Sequence, residues 1–157
     1  MLMQFQNYLT FENIYLWTNF SVLPFWLMLI FIPKSKLTQF FVNSIIIPLL
    51  LAGAACYVIY KSILLEVPLL DFFDLYFGLD NIYTIFSTES FLLVFWLHFV
   101  TLNIFLGSWM ARDGVKYNVS RGIMLIPLIL TYFTGPIGLV VYWFIRVFFA
   151  KRLSFHD

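Results

Sequence analysis

The stretch FWLHFVTLNIFLGSW, from Phe95 to Trp109, decides the fold class because His98 is its only ionisable side chain. About 20 apolar residues, rising ~1.5 Å each, cross a hydrocarbon core of roughly 30 Å. Working outward, four segments reach that length: residues 13–32, 40–60, 90–110 and 122–149. The sequence therefore predicts an all-α integral membrane protein, a multi-pass four-helix bundle that forms a single membrane domain over residues 1–157.

The composition agrees with a bilayer environment and excludes several function classes. The chain is 62% hydrophobic and 11% charged, whereas an ordinary soluble domain is about 45–50% apolar and 25% charged. A soluble fold of this size has too little interior for so much apolar surface. The net charge of +1 gives no basic field for nucleic acid, and the single Cys56 excludes a disulfide framework within the chain.

The fourth segment is longer than a straight, untilted span requires and contains Pro127 and the pair Gly135-Pro136. Proline removes a backbone donor and clashes with the preceding turn of a helix. We therefore expect a kink near the middle of this span.

The region between the second and third spans, residues 62–86, is apolar but contains four carboxylates. Each would cost about 2.5 kcal/mol or more at the centre of a bilayer. A helix over about residues 69–79 would place Asp71 and Asp74 on one face and Leu70, Phe73 and Phe77 on another. The pattern predicts an interfacial amphipathic helix.

The distribution of basic residues predicts an orientation. Four spans place two short loops on one side, with five cations: Lys34, Lys36, Arg112, Lys116 and Arg121. Lys61, Lys151 and Arg152 fall on the other side, with Arg146 close by. Positive-inside counting favours the cytoplasm or its equivalent for the two basic loops.

The chain lacks the residues of several cofactor sites. With only His98 and His156, it cannot supply the several imidazoles of a membrane iron centre. No lysine lies within a predicted span, so a retinal Schiff base is excluded. We expect no metal ion and no cofactor.

Polar residues of the third span sort onto two faces of a helix. Glu89, Trp96 and Asn103 repeat every seven residues on one stripe, and His98 and Phe105 lie on the opposite stripe. Because ionisable side chains in membranes usually face a bundle interior, we expect the two stripes to contact different neighbours, or one of them to face a partner protein. His98 is expected to point inward among the packed helices. Its imidazole either bridges helices by hydrogen bonds or exchanges protons, and Glu89 either caps the helix or takes part in chemistry.

Short motifs in a fixed order connect these residues to a known family. They are IFSTES at 85–90, WLH at 96–98, NIFLGSW at 103–109, RDG at 112–114 and GPIGL at 135–139. Their order and spacing resemble the abscisic acid-deficient-four-like family, four-helix membrane proteins whose plant members are neoxanthin synthases. The plant reaction converts an epoxide end group of a carotenoid into an allene.

The resemblance implies binding or isomerisation of a carotenoid or related isoprenoid by a cofactor-free intramolecular isomerase. It implies Glu89 as the acid and His98 as the proton acceptor or orienting group. It also implies that the ligand is bound by Trp96, Asn103, Phe105 and Arg121. Three positions depart from the family pattern: Asn103 replaces an aspartate, Ser108 an arginine and Gly122 a histidine.

These departures support an alternative function. A chain that lacks one acid, one cation and one imidazole of the family pattern could be a non-catalytic assembly subunit of a larger membrane complex. The expected partners are membrane lipid, a carotenoid or isoprenoid ligand, and either a homo-oligomer or such a complex. Nucleic acid is not an expected partner.

Overall fold

The structure is a computed structural model that describes residues 9–65 and 76–150. The regular structure in these two ranges is helical, which confirms the predicted all-α class. The helices are α1 (Phe11–Phe31), α2 (Lys36–Phe41), α3 (Ile46–Leu64), α4 (Leu79–Phe86), α5 (Glu89–Lys116), α6 (Arg121–Thr134) and α7 (Pro136–Ala150).

Three parts of the described chain are long and apolar enough to cross a membrane: Phe11–Phe31, Lys36–Leu64 and Glu89–Lys116. The first and third agree with the predicted spans 13–32 and 90–110. The second contains the predicted span 40–60, although its helix is interrupted between α2 and α3. The Ser44 hydroxyl accepts a hydrogen bond from the Ile46 N–H at 3.2 Å and so caps the start of α3.

The chain forms two compact units. Unit 1 contains residues up to Phe20 and from Leu49 to Phe99, and unit 2 contains Ser21–Pro48 and the residues from Val100 onward. In unit 1, the Lys61 ammonium of α3 donates to the Leu9 carbonyl at 2.7 Å and lies 5.0 Å from the centre of the Phe11 ring. In unit 2, Trp26 of α1 packs against Gly107 of α5.

The predicted fourth span, 122–149, is not one helix. It consists of α6 and α7, of 14 and 15 residues, each ~21–23 Å long at ~1.5 Å per residue. Gly138 of α7 packs against Thr131 and Pro127 of α6, so the chain folds back on itself. The expected kink is therefore a reversal, and the prediction of one helix over this segment is wrong.

The reversal has a local physical cause. Gly135 ends α6 with φ of 60°, a left-handed conformation that suits glycine because it has no Cβ. Pro136 then starts α7, where its missing N–H would have had no helical partner. The two residues together stop one helix and begin the next.

The predicted interfacial helix over residues 69–79 lies largely outside the described residues, as do Glu66, Asp71 and Asp74. At its carboxyl end the structure shows α4, which carries Asp80 in its first turn and has no buried residue among its eight. The Phe86 ring at the end of α4 packs edge-on against Phe91 and Phe95 of α5.

Candidate functional site

A groove in unit 1 is the best candidate for a ligand site. It has a volume of about 450 Å³ and lies between α1 and α5. We call it the carboxylate groove, and it is lined by Phe11, Glu12, Tyr15, Glu89, Leu92, Leu93 and Trp96. It therefore combines aromatic and leucine walls with two carboxyl groups.

The two carboxyl groups belong to the first turns of their helices. Glu12 lies in the first turn of α1, and Glu89 is the first residue of α5. Both side chains are exposed. A carboxyl group is favourable at this place because the helix dipole leaves partial positive charge at the amino terminus.

The indole of Trp96 is held in a fixed orientation. Its Nε1–H donates to Oδ1 of Asn19 at 3.1 Å, and the Asn19 amide donates in turn to the Tyr15 carbonyl at 2.9 Å. The Tyr15 and Trp96 rings pack with their centres 5.7 Å apart. The groove wall is thus pre-organised, which lowers the entropic cost of binding a ligand.

The six residues predicted for the site fall in different surroundings. Glu89 and Trp96 line the carboxylate groove together, as their shared stripe predicts. The Phe105 side chain is exposed on α5, and Arg121 lines a separate cavity in unit 2. Asn103 is 4% exposed, and its Nδ2 has no hydrogen-bond partner among the described residues.

His98 departs from expectation. Its side chain is exposed, so the prediction that the imidazole points into the bundle is wrong. The cause is its position on the stripe of α5 opposite Trp96, whose side the groove occupies. His98 does not line the carboxylate groove.

Sequence reasoning missed Glu12, although a signal for it exists. The first and third predicted spans run in the same direction, so their first turns lie at the same end. Glu12 and Glu89 each occupy such a turn. Pairing the starts of the two spans would have brought these carboxyl groups together.

A second polar cluster, in unit 2, was also missed. The Nε–H of Arg146 donates to Oδ2 of Asp113 at 2.7 Å, and the Tyr142 hydroxyl donates to the same oxygen at 2.6 Å. The Arg146 guanidinium also donates to the Tyr117 hydroxyl at 3.2 Å and lies 4.9 Å from that ring's centre. We call these four residues the Asp113 cluster.

The Asp113 cluster connects the end of α5 to α7. Arg146 and Tyr142 are 1% and 0% exposed, so the cluster is a buried ion pair with satisfied hydrogen bonds rather than a ligand site. Elsewhere in unit 2, the Ser108 hydroxyl donates to Oδ1 of Asn43 at 2.8 Å. The serine that departs from the family pattern therefore makes a contact within the fold.

No group of three or more histidine, cysteine, aspartate or glutamate side chains in ranges 9–65 and 76–150 could hold a metal ion. The carboxyl groups of the carboxylate groove can hydrogen-bond an oxygen atom and transfer a proton.

Comparison with known proteins identifies a family. No curated protein and no solved structure matches the chain. One family model, described as ABA DEFICIENT 4-like, matches residues 13–142. This range includes α5 and α6 entire, all of α1 but its first two residues, and the groove residues Tyr15, Glu89 and Trp96. This match covers most of the chain, and the chain therefore belongs to the ABA DEFICIENT 4-like family.

Proposed function

We propose that the protein is a multi-pass membrane protein that binds the oxygenated end group of a carotenoid or related isoprenoid in the carboxylate groove. The observation that supports this proposal is the joining of aromatic walls to two carboxyl groups in one groove of about 450 Å³. Sites for small ligands usually have volumes of ~300–1,000 Å³, apolar linings and a few polar groups that fix orientation.

The groove matches the chemistry of such an end group. A carotenoid ring is apolar apart from one or two oxygen atoms, so Tyr15 and Trp96 would contact the ring and Glu89 would hydrogen-bond an oxygen. The polyene beyond it would remain in lipid, against exposed apolar side chains of α1 such as Leu16 and Phe20. A ligand that enters from the bilayer has no need of an enclosed cavity.

The same groove supports isomerisation of an epoxide end group. One protonated carboxyl group would donate its proton to the epoxide oxygen as the carbon–oxygen bond breaks. The other, ionised, would remove a carbon-bound proton as the new double bond forms. Substrate and product contain the same atoms, so no oxidant is required, and Glu89 and Glu12 are the proposed acid–base pair.

We expect Glu89→Gln to lower the amount of ligand that co-purifies from a carotenoid-producing host. Its affinity for the ligand should fall about tenfold, because a hydrogen bond to a charged group contributes ~1.5 kcal/mol or more. Bound pigment is measured by absorbance and by mass spectrometry of extracted small molecules. Turnover of an epoxy carotenoid should fall ~100-fold or more if Glu89 is the acid.

Asp80→Asn provides the matched control. It removes an exposed carboxylate from the first turn of α4 without altering the groove, and bound pigment should be unchanged. A colourless wild-type protein from that host, or equal pigment in wild type and Glu89→Gln, would contradict the proposal.

A second candidate function, as an assembly subunit, is favoured by one observation. His98 is exposed in the middle of the helix that is 28 residues long. A polar imidazole facing acyl chains is unfavourable, whereas a partner protein or a second copy could satisfy it. As an assembly subunit, the protein would use the exposed face of α5 that carries His98 to contact the partner protein or second copy.

His98→Leu tests this second candidate. If the face binds a partner, the variant should migrate as a smaller particle than wild type after extraction in a mild detergent, while its pigment content stays the same. Size-exclusion chromatography with light scattering measures the mass. Phe105→Leu, an exposed apolar exchange on the same stripe, is the control, and a wild-type particle of one chain would exclude the assembly role.

A further inference from the structure

Unit 2 contains a cavity whose chemistry differs from that of the carboxylate groove. We infer that this cavity binds the phosphate headgroup of an anionic phospholipid. It has a volume of about 180 Å³, and we call it the basic cavity. Its floor is apolar and consists of Leu29, Val115, Met124 and Leu128, and its rim carries Lys34 and Arg121.

The two rim cations are available to an anion. Both side chains are exposed, and neither forms an ion pair with a carboxylate in ranges 9–65 and 76–150. The acidic group closest in sequence to Arg121, Asp113, is already bound to Arg146. A phosphate would therefore meet two positive charges from different parts of the chain, without competition from an acid in the cavity lining.

A constrained turn holds Lys34. The Ser35 hydroxyl accepts from the Thr38 N–H at 3.0 Å, and the buried Thr38 hydroxyl donates to the Ile32 carbonyl at 2.7 Å. The backbone on both sides of Lys34 is thereby fixed. The cation is presented at the cavity rim with less freedom than a lysine in an open loop.

Arg121 also follows a tight turn, at the start of α6. Asn118 has a positive φ of 54°, and the Val119 N–H donates to the Gly114 carbonyl at 2.9 Å. Gly114 itself lies against the Met124 side chain, which forms part of the cavity floor. The same packing thus fixes the position of Arg121 and shapes the cavity beneath it.

The apolar floor distinguishes a lipid from free phosphate. Inorganic phosphate would contact the two cations and the polar part of the lining, Asn118 and Ser120. A phospholipid would also place the beginning of its acyl chains against Leu29, Met124 and Leu128. The Lys34 turn directly follows a helix long and apolar enough to cross a membrane. Lipid headgroups lie at the level at which such a helix ends. Charge and apolar contact together therefore favour the phospholipid.

The experiment titrates the full-length protein in detergent with phosphatidylglycerol, phosphatidylcholine or inorganic phosphate and counts bound molecules by native mass spectrometry. The Lys34→Gln/Arg121→Gln double variant should bind phosphatidylglycerol about 25-fold more weakly, from roughly fivefold for each cation. Lys36→Gln/Arg112→Gln removes the same charge from exposed residues outside the cavity lining and should bind nearly as tightly as wild type.

A third variant tests the apolar floor without changing charge. Val115→Phe fills part of the cavity and should weaken phosphatidylglycerol binding severalfold. Three results would overturn the inference: equal losses in the two double variants, equal affinity for phosphatidylcholine and phosphatidylglycerol, or inorganic phosphate binding as tightly as the lipid.

Discussion

Replacing Asp113 with alanine is expected to lower the free energy of unfolding by about 3 kcal/mol, because it leaves the buried Arg146 guanidinium without its counter-ion. Only 2% of the Arg146 side chain is exposed. Tyr142 would lose its acceptor in the same variant. Reversible unfolding in mixed micelles, followed by circular dichroism, measures the change.

Two comparisons make this prediction specific to the ion pair. Arg112→Ala removes an exposed charge from the neighbouring residue and should change stability by no more than ~0.5 kcal/mol. The double variant Asp113→Ala/Arg146→Met removes both charges and should be more stable than Asp113→Ala alone, since no buried charge remains uncompensated. Equal stability of Asp113→Ala and Arg112→Ala would show that the cluster does not stabilise the fold.

Gly138→Ala is expected to disrupt the packing of α7 on α6. A Cβ at position 138 would overlap the hydroxyl oxygen and the backbone nitrogen of Thr131 and would lie 2.6 Å from the Pro127 carbonyl oxygen. Because two of these atoms belong to the backbone, a rotamer change cannot relieve the overlap. We expect the free energy of unfolding to fall by ~3 kcal/mol, at the upper end of the range for overpacked cores. The same unfolding assay measures this change.

Gly53→Ala is the matched control for this variant. Gly53 lies in α3, and a Cβ there would meet no atom within 4 Å. Alanine is the better helix former, so stability should be unchanged or increased by up to ~1 kcal/mol. Comparable losses at both glycines would contradict the close approach of α6 and α7.

The apolar runs predicted most of the helical structure. The predicted spans 13–32 and 90–110 correspond to α1 and α5, and α5 continues six residues beyond position 110. A run of about twenty apolar residues in lipid forms a helix because its backbone groups must be hydrogen-bonded within the segment. The interruption at Gly135-Pro136 was predictable from those two residues. Its reversal was not, since it depends on Gly138 fitting against Thr131, a tertiary contact that periodicity does not encode.

The candidate site was predictable in part. The seven-residue spacing of Glu89 and Trp96 correctly predicted a shared face, because helical geometry fixes it. The contact of Asn19 with Trp96 depends on the register of α1 against α5, which the sequence does not give, and so Asn19 was not assigned to the site. Glu12 was predictable from the common end at which the first and third spans begin. The Asp113–Arg146 pair joins residues 33 positions apart and has no local pattern at all.

The inward placement of His98 failed for a different reason. Ionisable residues in membranes tend to face the bundle interior. His98, however, lies on the stripe of α5 opposite Trp96. The geometry of α5 outweighed the tendency, and the side chain is exposed. For a single imidazole, the helix face on which it lies is the stronger predictor.

The turn at Gly135 has a consequence for membrane topology. Because α7 runs back along α6 to reach Asp113, the polypeptide leaves α7 at the end of unit 2 where α6 began. If this pair entered a bilayer, both of its ends would therefore lie on one side, and the Arg146 cation would stay at the depth of Asp113 instead of crossing the hydrocarbon.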